Sequence, residues 1–213
     1  VRCQRCGRPT CPECQRPASV GIQCVDCVRE ARMRPMRNRL GFTMALGTPY
    51  VTIGLVIANV AAYLYGTAVL GTEAWYTRWS LIPAAADAGL PFGDELYRWI
   101  SSGFLHFSIW HLAMNMFVLW QFGSQLEPIL GRVRFAVLYF ASMIGGSASV
   151  MLLASDGFHG GASGAIFGLI TAYAVVLAKL RLDYRSLVTT AGLWLVLGFV
   201  IPGISWQGHL GGA

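Results

Sequence analysis

Residues 162–180 of the chain, ASGAIFGLITAYAVVLAKL, carry a single charged side chain, Lys179, close to the end of the stretch. A helix of about 20 predominantly apolar residues is long enough to cross the hydrocarbon core of a bilayer. Backbone N–H and C=O groups surrounded by lipid must be bonded within their own segment, so a helix is the expected structure. The stretch therefore predicts a transmembrane helix.

Further apolar runs of similar length lie on both sides of this stretch, and a sixth begins near Trp206. The other complete runs cover residues 49–70, 104–122, 135–154 and 187–201. Charged residues make up only 12% of the 213-residue chain, about half the fraction usual in soluble domains, which is too little to cover a soluble helical core. The sequence predicts an all-α, polytopic membrane helix bundle over residues 49–213. Because the chain starts without Met and ends inside the sixth run, we expect a fragment with a truncated sixth helix.

The basic residues are distributed unevenly among the segments between these runs. Fourteen of the sixteen Lys and Arg lie in the N-terminal segment or in the connections that follow the second and fourth runs, and only Arg78 and Arg98 lie elsewhere. Positive charge concentrates on the cytoplasmic side, so a multi-pass protein of the cell membrane with a cytoplasmic N-terminus is predicted. The net charge of +6 is thus accounted for by the orientation of the chain in the membrane. This argues against a nucleic-acid partner.

The first connection, residues 71–103, is too long for a simple turn. It contains several Trp and Tyr residues, which concentrate at the interface between a bilayer and water. We expect a structured loop on the outer side that is partly embedded in the membrane.

A few polar side chains interrupt the apolar runs, where such groups are costly and usually functional. They are His106, His111 and Asn115 in the second run, Ser163 in the fourth and His209 in the sixth. All three runs start on the outer side in the predicted topology, so these side chains are expected at similar depth. His106 is nearest to the boundary and is expected to be structural, whereas His159, in a short outer loop, is expected to be solvated.

Small residues indicate which of these runs pack together. Glycine recurs at positions 160, 164 and 168 of the fourth run and at 208 and 212 of the sixth, a spacing that lets helices in lipid approach closely. If these faces meet, Ser163 and His209 are neighbours. A His beside a Ser is the minimal arrangement that activates a hydroxyl nucleophile, and Phe167, one turn below Ser163, is placed to support the imidazole. No Asp or Glu lies at this depth, so a Ser–His dyad is predicted rather than a triad.

Attack of a serine on a carbonyl group creates an oxyanion that needs hydrogen-bond donors. His111 and Asn115 are four residues apart and therefore share one helix face, and their ring N–H and amide groups are candidate donors. The backbone N–H groups around Gly161 and Gly164, at the start of the fourth helix, are the candidate main-chain donors. Together with Ser163, these groups predict a site for acyl transfer.

Three motifs resemble those of rhomboid proteases. The first is GASGAIFG at residues 161–168, which resembles the GxSG motif. The second is HLAMN at 111–115, which resembles the HxxxN motif, and the third is GHLGG at 208–212, which is similar to the opening of the sixth helix. Residues 95–98 and 127–139 are also similar to the end of the first outer loop and to the connection after the second helix in that family.

The resemblance covers roughly residues 49–213 and implies a six-helix core that performs proteolysis inside the membrane. It implies Ser163 as nucleophile, His209 as general base, and His111 and Asn115 as oxyanion donors. It further implies substrates with a single transmembrane helix, taken from the lipid bilayer and cut on the extracytoplasmic side, with no cofactor needed for catalysis.

Two other classes of function are weighed against this one. Family members that lack the Ser or the His bind membrane proteins without cutting them, so an adaptor or chaperone on the same fold is the main alternative. A transporter or channel would place His and Asn along a path, but the runs contain no embedded acidic residue and no visible inverted repeat.

All six cysteines lie within residues 1–28, ahead of a basic cytoplasmic linker at residues 29–48. They form three CxxC pairs, which are Cys3 and Cys6, Cys11 and Cys14, and Cys24 and Cys27. On the cytoplasmic side such pairs favour structural Zn²⁺ over disulfides, since each pair supplies two thiolates to a tetrahedral ion. Six ligands complete one four-cysteine site and leave one pair, whose further ligands are expected upstream of Val1. A redox or free-thiol segment is the alternative.

The cysteine segment resembles the treble-clef or B-box-like zinc modules that precede some actinobacterial-type rhomboids. Interleaved pairing would place Cys3, Cys6, Cys24 and Cys27 on one ion, whereas sequential pairing would use the first four cysteines. The sequence leaves both pairings open. It also leaves open whether the module binds a cytoplasmic partner or regulates the membrane core.

Overall fold

The computed structural model describes residues 1–18, 21–33, 47–83, 96–201 and 203–213. The chain divides into two compact units, Val1–Met44 and Ala45–Ala213. The linker predicted at residues 29–48 begins inside a helix, and its residues 34–46 lie outside the described part of the chain.

The N-terminal unit is a small hairpin followed by a helix. Strands β1 (Gln15–Pro17) and β2 (Ile22–Cys24) pair antiparallel, and α1 (Val25–Met33) follows directly. Its buried cluster consists of Cys3, Cys24 and Cys27. Units near roughly 40 residues have too little apolar core for stability and usually depend on metals or disulfides, so the cysteines are the expected source of stability here.

The second unit is built from helices. They are α2 (Tyr50–Tyr65), which continues as a π-helical turn over Gly66–Leu70, α3 (Thr72–Trp79), α4 (Arg98–Ser101), α5 (Ile109–Leu130), α6 (Arg132–Leu153), α7 (Ser163–Lys179), α8 (Arg185–Val200) and α9 (Trp206–Gly212). Two stretches, Tyr50–Leu70 and Arg132–Leu153, are long and apolar enough to cross a membrane, and α7 and α8 are shorter apolar helices. The predicted all-α membrane bundle with a cysteine-rich N-terminal segment is confirmed.

The second run differs from its predicted limits of 104–122. The helix α5 begins at Ile109 because Ser108 caps it, with the Ser108 hydroxyl accepting the backbone N–H of His111 at 3.1 Å. Residues 102–104 form a 3-10 turn instead. At the other end, α5 continues to Leu130, so Glu127 lies within the helix.

Glycines allow α6, α7 and α9 to pack with their backbones in contact. A Cβ on Gly164 of α7 would lie 3.1 Å from the carbonyl oxygen of Gly208 on α9. A Cβ on Gly146 of α6 would lie 2.8 Å from the same oxygen, and one on Gly212 would overlap the backbone of Gly164. The predicted contact between the glycine faces of the fourth and sixth runs is confirmed for these positions, and Gly160 instead packs against Leu105.

The loop between α2 and α5 is structured in its described parts. Arg98 is buried, and its guanidinium donates to the carbonyl oxygens of Thr77 and Ser80, both at 2.8 Å. Trp75 packs against Gly66 at the end of the first run. The expectation of a structured loop is confirmed for these residues, whereas residues 84–95 lie outside the described part of the chain.

Glu127 caps the start of α2 from the neighbouring helix α5. Its side chain is 1% exposed. One carboxylate oxygen accepts the backbone N–H of Val51 at 3.0 Å, and the other accepts the backbone N–H and the hydroxyl of Thr52 at 2.9 and 2.8 Å. The first N–H groups of a helix lack partners within the helix and carry partial positive charge, so a carboxylate is well suited to this position.

Replacing Glu127 with Gln is expected to lower the free energy of unfolding by about 2–3 kcal/mol, because one oxygen acceptor becomes an NH₂ that faces a backbone donor. The measurement is equilibrium unfolding in mixed micelles. The matched control is Glu73→Gln on α3, where the side chain is exposed and little change is expected. Equal stability of the two variants would contradict the capping role.

Candidate active site

Ser163 is the first residue of α7, and Gly161, two residues before it, has unusual geometry. Gly161 has φ +131°, a conformation that L side chains rarely adopt, and its N–H donates to the Ser102 carbonyl at 2.8 Å. A Cβ on Gly161 would lie 2.8 Å from the ring of His111 and 3.7 Å from the Ser163 hydroxyl oxygen. Because Gly161 has no side chain, the ring of His111 and the hydroxyl of Ser163 both lie beside the space that a Cβ would occupy.

His209 is held against α7 by an aromatic contact. Its imidazole is buried and stacks on Phe167, with ring centroids 4.1 Å apart and an angle of 13° between the planes. Phe167 lies one helical turn beyond Ser163, so this contact brings the imidazole next to the helix that Ser163 opens. The predicted support of the imidazole by Phe167 is confirmed. In the described part of the chain, the Nδ1 atom of His209 has no hydrogen-bond partner, and no carboxylate is bonded to it.

The other predicted side chains of the site lie on the first turns of α5. The ring of His111 packs against His106 at a centroid distance of 5.0 Å and against Phe107 at 6.1 Å. Asn115 is buried and one of its amide N–H groups donates to the His111 carbonyl at 2.9 Å. Its second N–H is left for another acceptor. His106 is fully buried and packs on His111, and its structural role stays a prediction.

A cavity of about 40 Å³ opens beside Ser163. Its polar lining includes Ser102, Ser147, His159 and Ser205. This volume exceeds the roughly 10–15 Å³ that one water needs. A polar group of a ligand could therefore enter next to the serine hydroxyl.

The expectation that His159 is simply solvated is wrong. Its ring is half-buried, with Nδ1 at 2.9 Å from the Ser205 hydroxyl and Nε2 at 3.0 Å from the Asp156 carbonyl oxygen. Its backbone pairs with Leu81 through two hydrogen bonds of 2.8 and 2.9 Å. Sequence reasoning did not single out Ser205, although its place three residues before Gly208 is the spacing of a helix N-cap.

In the N-terminal unit, the structure brings together one set of four cysteines. The sulfur atoms of Cys3, Cys6, Cys24 and Cys27 all lie within 4.8 Å of one another, and those of Cys6 and Cys24 are 3.8 Å apart. A tetrahedron with Zn–S bonds of about 2.3 Å has edges of about 3.8 Å, so these four sulfur atoms could hold a metal ion. The arrangement is that of the interleaved pairing. Cys11 and Cys14 are joined to each other by a disulfide bond, and their assignment as ligands stays a prediction.

The short distances between these thiols oppose their joint ionisation. Hydrogen bonds from the backbone N–H groups of Cys24 and Cys6 lower the pKa of the Cys3 thiol to about 6. The neighbouring Cys24 side chain and burial raise the pKa of Cys27 to about 12. Four thiolates this close cannot ionise together unless a positive charge lies among them.

These features define the class as a polytopic helical membrane protein in which a serine and a buried histidine lie on helices packed through glycine. The chain belongs to the rhomboid family, since the family model of the Rhomboid domain matches residues 93–213. Rhomboid proteases are intramembrane serine peptidases, and inactive rhomboid-like members also exist.

Several curated relatives share this domain. The chain is 34% identical to the rhomboid protease GluP of Bacillus subtilis over 60% of its own length and 26% of that protein. It is 33% identical to RHOMBOID-like protein 4 of Arabidopsis thaliana over 56% of the chain and 32% of the relative. It is 28% identical to the rhomboid protease GlpG of Pectobacterium atrosepticum over 70% and 52%, respectively. The chain thus spans between about a quarter and a half of the length of these relatives.

Proposed function

We propose that this chain carries the catalytic core of an intramembrane serine endopeptidase that cuts membrane proteins with a single transmembrane helix. The observation that carries the proposal is the stack of His209 on Phe167, one turn from Ser163. It provides a buried imidazole beside the helix that the serine opens. The likeness to two rhomboid proteases over 60% and 70% of the chain supports the same conclusion.

In the proposed reaction, the Ser163 hydroxyl attacks the carbonyl carbon of the scissile peptide bond while His209 accepts its proton. The C–N bond of the tetrahedral intermediate then breaks, and His209 returns the proton to the leaving amine. A water molecule, deprotonated by the same imidazole, attacks the acyl group and releases Ser163 as a hydroxyl. No carboxylate takes part, which matches the unpartnered Nδ1 of His209 in the described residues.

The negative charge of the intermediate needs donors around Ser163. We assign this role to the second amide N–H of Asn115, to a ring N–H of His111 and to the backbone N–H of Gly164, whereas the N–H of Gly161, also a candidate from the sequence, is already donated to the Ser102 carbonyl. The closeness of the His111 ring to Gly161 supports the assignment. The first N–H groups of α7 lack partners within the helix and add partial positive charge.

The first test is labelling of the protein in detergent with a fluorophosphonate, which reacts with activated serines and needs no known substrate. We expect one labelled site, and we expect Ser163→Ala to abolish the labelling. The matched control is Ser147→Ala, because Ser147 lines the same cavity but donates its hydroxyl to the Trp99 carbonyl. A folded wild-type protein that does not react would favour the non-catalytic adaptor, and labelling that survives in Ser163→Ala would contradict the proposed nucleophile.

We further propose that the N-terminus is cytoplasmic and that the site opens to the opposite side of the membrane, as the distribution of Lys and Arg favours. Because zinc binding and the disulfide would both protect these cysteines, the cells are first treated with a chelator and a reductant that cross the membrane. A membrane-impermeant maleimide applied to these intact cells should then leave the N-terminal cysteines unmodified until the membrane is permeabilised. Modification in intact cells would reverse the orientation.

For the N-terminal unit we propose a structural Zn²⁺ bound by Cys3, Cys6, Cys24 and Cys27. The ion would supply the four thiolates with the positive charge that they lack and would link the segment before β1 to the start of α1. A cytoplasmic binding partner or a regulatory role of this module stays a prediction from the sequence.

A further inference from the structure

His159 and Ser205 connect the two chain segments that carry the proposed nucleophile and base. His159 lies four residues before Ser163, and Ser205 lies four residues before His209. The ring of His159 and the hydroxyl of Ser205 are 2.9 Å apart. The contact therefore joins the loop before α7 directly to the first turn of α9.

The hydrogen bonds indicate which nitrogen of the His159 ring donates. The Asp156 carbonyl oxygen, 3.0 Å from Nε2, can only accept, so Nε2 carries the ring proton. In the tautomer with its single proton on Nε2, Nδ1 is the acceptor and the Ser205 hydroxyl donates to it. The same Ser205 oxygen accepts the backbone N–H of Gly208 at 3.3 Å and so caps α9.

The loop that holds His159 is itself anchored in the fold. Two backbone hydrogen bonds of 2.8 and 2.9 Å pair His159 with Leu81, and Gly161 donates to Ser102 at 2.8 Å. A side chain fixed to this loop is consequently a rigid point of attachment. Ser205 connects this loop to α9, because its carbonyl oxygen also accepts the N–H of His209 at 3.2 Å.

We infer that His159 is a positioning residue for the base: through Ser205 it sets the place of the first turn of α9, and hence of His209 relative to Ser163. The inference rests on the proposed function, because it assigns a task to His159 in the same site. His159 does not need to contact the substrate for this role. A shift of about 1 Å in a reacting group can cost up to about a hundredfold in rate, so a contact of this kind matters for the chemical step.

The test compares two substitutions of nearly equal shape, His159→Leu and His159→Asn. Asn places an acceptor oxygen close to the position of Nδ1, and Leu has none. The reaction of each full chain with a fluorophosphonate gives the maximal inactivation rate and the half-saturating probe concentration. We expect His159→Leu to lower the maximal rate about tenfold with little change in half-saturation, and His159→Asn to restore most of the rate.

Ser205 provides a second and independent pair of variants. Ser205→Ala is expected to lower the maximal rate as His159→Leu does, Ser205→Thr is expected to retain it, and the double variant of His159→Leu and Ser205→Ala is expected to be no slower than either single one. If His159→Leu does not fold, His159→Ala takes its place both in the comparison with His159→Asn and in the double variant. Equal rates for His159→Leu and His159→Asn, or for Ser205→Ala and Ser205→Thr, would overturn the inference alone. Absence of labelling in the folded wild-type protein would overturn the proposed function and this inference with it.

Discussion

Substitution of His209 by Ala is expected to slow the reaction of Ser163 with a fluorophosphonate by about a thousandfold, within the range that a general base contributes to a reaction. A serine hydroxyl is a weak nucleophile until a neighbouring base takes its proton. In the described part of the chain no carboxylate is bonded to His209. When the imidazole is lost, no carboxylate is therefore in place to accept the proton of Ser163 instead. The measurement is the second-order labelling rate in detergent.

The control for this variant is Trp206→Phe on the same short helix. Trp206 stacks on Phe199 of α8 at a centroid distance of 4.3 Å, so its replacement disturbs the packing of α9 without removing the base. We expect Trp206→Phe to label at close to the wild-type rate. A His209→Ala protein that melts normally and still reacts as fast as wild type would exclude His209 as the base.

Loss of zinc is expected to unfold the N-terminal unit, because binding of a structural Zn²⁺ by such modules contributes on the order of 10 kcal/mol and the buried core among the described residues of this unit is a cluster of cysteines. Metal analysis of the full chain should find one zinc ion held by the four-cysteine cluster. Chelation, or the substitution Cys24→Ser, should remove that ion and expose the segment before α1 to limited proteolysis.

Cys11 and Cys14 provide the matched control for the zinc experiment. They belong to the same segment but lie outside the group of four clustered sulfur atoms. The double variant Cys11→Ser and Cys14→Ser should therefore keep the zinc ion and the protease resistance of the unit. A chain without zinc, or zinc lost equally in this control, would contradict the assignment of the four ligands.

Several features of the fold could be predicted because they depend on one segment at a time. Hydropathy and length located the helices, and the four-residue spacing of glycine at 164, 168, 208 and 212 indicated which faces pack. Where a local detail competed with hydropathy, the prediction failed. The apolar run that begins at residue 104 is helical only from Ile109, since the capping hydroxyl of Ser108 starts the helix there.

By itself, the sequence determined the class of the protein, the order of its helices, and Ser163, His209, His111 and Asn115 as candidate site residues. The tertiary structure decided which distant groups meet. It placed Gly146 of α6 against α9, His159 against Ser205, and Glu127 against the start of α2. It also brought Cys3 and Cys6 to Cys24 and Cys27, where the sequence had allowed two pairings. The physical reason is that hydropathy and spacing act along one helix, whereas these contacts join residues 46 or more positions apart in the bundle and about 20 apart in the cysteine unit. Whether such groups meet depends on how the whole chain packs. A pattern within one segment contains no information about the position of the other segments.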